Sequence, residues 1–116
     1  MRDLALVVAG ALATFVAIVH GALLEFRVMP KTRIEPQRMR RILRVVCQMS
    51  TVDWIGIGIL LMAVPSFGSP TARQWVIAVA VVVCGFAAAG NAWATRRPHP
   101  GWVLMSCVVV LALLGL

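Results

Sequence analysis

Four apolar stretches, residues 4–24, 45–64, 75–95 and 101–116, hold a single Asp, Glu, Lys or Arg among them, Asp53. A helix needs about 20 apolar residues to cross a hydrocarbon core about 30 Å thick, and each stretch approaches that length. The rest of the chain carries the charge, with eleven Lys and Arg against four Asp and Glu, a net +7. With 61% hydrophobic and 13% charged residues, the sequence departs from the balance of a water-soluble domain, whose helices interleave charge with apolar positions. The stretches are also continuously apolar, without the alternation that strands of a membrane barrel require. The expected fold is an all-α membrane protein: one domain, 1–116, forming a bundle of four transmembrane helices that run up, down, up, down.

Orientation follows from where the cations fall. Arg27, Lys31, Arg33, Arg38, Arg40, Arg41 and Arg44 occupy a basic loop at 27–44, and Arg96 and Arg97 lie between the third and fourth stretches. Those nine belong to one side of a four-span chain, whereas Arg2 and Arg73 belong to the other. Short basic loops stay in the cytoplasm, so both termini are expected outside it, in a multi-pass protein of the cell inner membrane. The same bias argues against a cleaved signal peptide at 1–24, where Arg2 is followed at once by Asp3 and the stronger basic flank lies downstream. It also argues against insertion in both orientations, which needs balanced loops. Trp75, Trp93 and Trp102 fall at the ends of stretches, where indole rings favour the headgroup region, but Trp54 lies well inside the second and is expected to pack in the bundle or face acyl chains.

Basic residues beside the membrane attract anionic lipid by about 1 kcal/mol each. Arg38, Arg40, Arg41, Arg44, Arg96 and Arg97 are therefore read as contacts to anionic headgroups, and no nucleic acid is needed to explain them. Pro30 is expected to break the first helix and Pro36 to sit in the first turn of the second, which then runs straight into its span. Ala5, Ala9, Ala13, Ala17 and Gly21 recur every fourth residue, a small-residue ridge that lets another helix approach closely. Packing within the bundle is the plain reading of that ridge, and a homodimer seam the sharper one. Gly85, Ala88, Ala89 and Ala92 repeat the pattern in the third stretch.

Polar residues inside the spans bear on function, because an ionisable group at the bilayer centre costs about 2.5–3.5 kcal/mol even on the mildest scale. Counted at about 1.5 Å per residue, Asp53 lies about 13 Å below Arg44 and His20 about 10 Å below Arg27. Comparable depth suggests a cytoplasm-facing polar cavity lined by His20, Gln48, Thr51, Asp53 and Asn91, with Glu25 at its mouth. In such a cavity Asp53 and His20 would share a proton; alternatively the cluster only fixes helix register.

Other chemistries have little footing. Cys47, Cys84 and Cys107 sit on three different stretches without CxxC spacing, so reduced thiols packing as small apolar groups are expected. His20 and His99 are the two imidazoles that a b-type haem would need, but His99 lies between Pro98 and Pro100 in a loop. No metal and no cofactor are expected. Phosphate-binding loops, Ser-His-Asp sets and HExxH motifs are missing from the sequence, and a non-enzymatic role is expected.

His20 and Glu25 at the end of the first stretch, taken with Arg96, Arg97, Pro98, His99, Pro100, Gly101 and Trp102 entering the fourth, resemble a group of small uncharacterised bacterial four-span inner-membrane proteins. The resemblance implies a bacterial inner-membrane setting and no activity. Two roles follow from the residues themselves. One is a non-catalytic accessory or scaffold subunit engaging a larger membrane partner or a second copy; the other is a small oligomeric transporter or ligand-binding bundle using the polar cavity.

Overall fold

The computed structural model describes residues 1–116 and is helical throughout, with no strand. Helix α1 spans Arg2–Leu23, α2 Gln37–Ala63, α3 Pro70–Thr95 and α4 Pro100–Leu114. Past Leu23 the first helix continues through a π-helical turn, Leu24–Val28, into a last α turn, Met29–Lys31. Pro30 therefore does not break the helix as expected. Proline has no N–H to donate, and in a regular α turn its ring would strike the carbonyl four residues back. The wider turn, closed by the Met29 N–H on the Leu24 carbonyl, accommodates it. Pro36 is the extended residue ahead of α2 rather than part of its first turn. The 18-residue basic loop thus shrinks to a five-residue link, 32–36, with most of its arginines on helical extensions.

The other boundaries follow local chemistry. Gly68, at φ 63°, makes the left-handed turn between α2 and α3, and the Ser69 hydroxyl accepts the Ala72 N–H ahead of Pro70 at the first helical position. Arg96 ends α3 at φ 50°, its N–H donating to the Ala92 carbonyl. Four residues later α4 begins, with Nδ1 of His99 accepting the Gly101 N–H at 3.1 Å.

Helix α1 is the hub, packing along α2 on one side and α4 on another, while α4 also packs along α3. Helices α2 and α3, though consecutive, meet sparsely and leave an open seam. The interior is built from one face of each helix: Leu6, Ala9, Ala13, Val16 and Ala17; Trp54, Ile57 and Leu61; Ile77, Ala80, Cys84 and Ala88; Met105, Val108 and Ala112. The α1 ridge is thus covered within the chain, with Ala9, Ala13 and Ala17 at zero exposure and Gly21 against Thr51. At the tightest crossing Gly10 of α1 faces Gly58 of α2, and a Cβ on either would strike the other's carbonyl oxygen.

The outer surface is apolar. Phe15, Phe26, Val52, Trp75, Val82, Phe86 and Trp93 are all more than half exposed, which suits acyl chains and not water. Three helical stretches, Arg2–Lys31, Gln37–Ser66 and Pro70–Thr95, are long and apolar enough to cross a membrane. Helix α4, at 15 residues, covers about 22 Å, shorter than the hydrocarbon core.

Polar ties close both ends. Arg73 of α3 holds Asp3 at 2.7 Å and donates through Nε to the Gly115 carbonyl at 2.8 Å, joining α1, α3 and the end of α4. Arg73 and Asp3, with Met1, Gly68 and Leu116, line one open cavity of about 750 Å³. At the other end Arg44 forms an ion pair with Glu25, its Nε 2.9 Å from Oε2, and Arg40 donates to the Met29 carbonyl at 2.7 Å, satisfying a carbonyl of the last turn of α1.

Candidate functional site

Two sites emerge where sequence depth suggested one. The first is a cavity of about 280 Å³ between the second half of α1 and the start of α4, reaching inward to α2 and α3. His20 is half-buried there, its ring 4.8 Å from that of Trp54 and tilted by 49°. Trp54 is buried and Asn91 half-buried at the inner end, whereas Phe15, Leu23, His99 and Pro100 are exposed along the opening. The walls are mainly apolar, with Val16, Val19 and Leu104 completing them, and no carboxylate, lysine or arginine lines the space.

Hydrogen-bonding capacity remains free inside it. Asn91 Nδ2 donates to the Ala87 carbonyl one turn back, leaving Oδ1 without a protein donor. His99 Nδ1 accepts from Gly101, so in the neutral ring the proton resides on Nε2, which is a donor. Gln48 turns away, donating to the Gly21 carbonyl at 3.3 Å, and what packs on His20 is the Trp54 ring.

The second site is on the outside. Asp53 is exposed on α2, lining a shallow groove with Arg44, Val45, Gln48, Met49 and Val52. His20 and Asp53 thus line different spaces, and the expected proton-sharing pair is not brought together. The reason is angular. Successive helical residues turn by about 100°, so with Trp54 directed inward its neighbour Asp53 is rotated onto the outer face at nearly the same depth.

Of the six residues expected around one cavity, His20 and Asn91 do share one. Gln48 and Thr51 pack instead on Gly21, and the buried Thr51 Oγ1 has no hydrogen-bond partner in the chain. Glu25 serves Arg44, beside a cleft of about 380 Å³ that also takes in Gln37, Arg40 and Arg41. Of the six arginines read as headgroup contacts, Arg40 and Arg44 are engaged within the chain, while Arg38, Arg41, Arg96 and Arg97 are exposed. Sequence reasoning missed Trp54 and His99 as cavity residues. The His99-Pro100 pair carried the signal, because proline favours the first helical position and so puts the histidine at the cap, aimed at a helix end.

No protein family, curated protein or solved structure matches the chain.

Proposed function

We propose that the protein is a non-catalytic accessory component of a membrane assembly, seated in the inner membrane with its arginine-rich end in the cytoplasm and both termini on the opposite side. The observation that carries this reading is Asp53, an acid on the outer face of an apolar helix, about nine residues and 13 Å beyond the last arginine of α2. Ionisable groups within a bilayer nearly always face a protein interior or pair with one another. This chain supplies Asp53 with no partner: Arg44, in the same groove, is held by Glu25. A neighbouring subunit's helix carrying a lysine, an arginine or a neutral hydrogen-bond donor at mid-membrane satisfies it.

The orientation draws support from the ion pairs. Arg73, one of only two cations toward the opposite side, is tied to Asp3, while Arg38, Arg41, Arg96 and Arg97 stand exposed to anionic headgroups at the basic end. A photo-reactive residue in place of Val52, beside Asp53, tests the reading in native membranes. It is expected to give one discrete protein adduct, lost on Asp53→Leu, and no adduct when placed at Trp75. Lipid adducts alone at Val52 would overturn it, and an adduct of twice the chain mass would replace a foreign partner with a second copy.

A second reading, a ligand-binding bundle, is favoured by a separate observation: the half-enclosed cavity beside His20 with its unused hydrogen-bonding groups.

A further inference from the structure

We infer that the cavity bounded by His20, Trp54, Asn91 and His99 binds a small neutral aromatic amphiphile, a single ring bearing a hydroxyl or carbonyl group, drawn sideways from the lipid. This deepens the ligand-binding reading and is independent of the Asp53 face.

Size sets the first limit. At about 280 Å³ the space lies just below the usual range for small-molecule pockets, roughly 300–1,000 Å³, which suits one substituted ring and excludes a macrocycle such as haem. Charge sets the second. With no carboxylate, lysine or arginine on the walls, an ionised ligand would lose its hydration without a counter-charge. No third histidine, cysteine or carboxylate joins the two imidazoles, so the donor set does not form a metal cage.

Polarity within an apolar wall sets the third. His99 Nε2 donates, Asn91 Oδ1 accepts, and the His20 ring offers one of each, so both a hydroxyl and a carbonyl find partners. The Trp54 and His20 rings both line the space and give a planar guest aromatic surface to pack on. The approach is lateral because the exposed members of the lining, Phe15, Val19, Leu23, His99 and Pro100, lie along α1 and at the start of α4, whereas Trp54 at the inner end is buried. His99 caps α4 where the chain turns back beside Arg96 and Arg97, so the polar group of a guest enters near the headgroup layer and its ring points inward.

The test is a titration of the full chain in lipid nanodiscs with 4-hexylphenol and, in parallel, with hexylbenzene, read by the indole N–H resonances. A saturable shift is expected at Trp54 with none at Trp75, and hexylbenzene should bind at least tenfold more weakly. His20→Phe keeps a ring against Trp54 without its nitrogens, and His99→Asn keeps a capping acceptor without Nε2. Each should weaken 4-hexylphenol at least tenfold while leaving the Trp102 resonance, which reports the hydrogen bond to the Arg97 carbonyl, in place. Equal binding of the two compounds, linear unsaturated shifts at all indoles, or undiminished affinity in both variants would overturn the inference. None of these outcomes bears on cross-linking at Val52.

Discussion

Gly10 and Gly58 show how much a single hydrogen in place of a methyl group decides in this bundle. Each would put a Cβ into the other's backbone, so α1 and α2 approach as closely as they do only because both positions are glycine. Gly58→Ala is expected to destabilise the protein by about 1–3 kcal/mol through overpacking, seen as a lower melting temperature in detergent. Gly56, two residues away, is the internal control, because a methyl group there would meet nothing within 4 Å. Gly56→Ala should be neutral or stabilise by up to about 1 kcal/mol, from helix propensity alone. Arg96 is the opposite case, a residue with a Cβ held in the left-handed region. Arg96→Gly should raise the melting temperature, relieving strain of about 1 kcal/mol, and an unchanged or lower value would contradict that account. Neither the Gly10–Gly58 contact nor the Arg96 turn was legible in the sequence. The alanine ridge of α1 announced itself by repetition, whereas a crossing of two isolated glycines depends on how the helices are aligned.

Among the elements, the apolar stretches were legible because hydropathy reads length and composition directly. Their residues 4–24, 45–64 and 75–95 lie inside helices, whose ends the prolines and capping groups then extend. What the same reading missed was rotation. Depth placed His20 and Asp53 together, but the buried series Thr51, Trp54, Ile57 and Leu61 fixes which side of α2 faces inward, and Asp53 is not on it. Periodicity could have shown this, since Thr51 and Trp54 are three residues apart and share a face that Asp53 lacks. The consequence can be measured. Asp53→Leu removes no bond made within the chain, so the isolated protein should keep or slightly raise its melting temperature while losing its cross-linked partner. A marked loss of thermal stability in the isolated chain would show that the carboxyl is structural. Helix α4 was expected at 101–116 and occupies Pro100–Leu114; its brevity places Leu116 beside Met1 and Gly68 in the end cavity.

At the level of the whole molecule, the bundle measures 49 Å along its longest axis, close to the 40–45 Å of a bilayer with its headgroup regions. One end carries the arginines of the α1 extension, the start of α2 and the α3–α4 turn; the other is tied by Arg73 to Asp3 and Gly115. Because Asp3 is largely exposed, Asp3→Asn, which leaves the Arg73–Gly115 hydrogen bond in place, should cost at most about 1 kcal/mol, a shift of a few degrees in melting temperature. A lipid setting with all the arginine-rich turns on one side is the claim on which the rest depends. Single cysteines at Arg38, Arg97 and Ser69, introduced after the three native cysteines are replaced by serine or alanine, can be probed with a membrane-impermeant thiol reagent in intact cells and in inverted vesicles. The account predicts that positions 38 and 97 react only in inverted vesicles and position 69 only from outside the cell. Labelling of 38 and 97 from opposite sides, or of all three in both preparations, would contradict it.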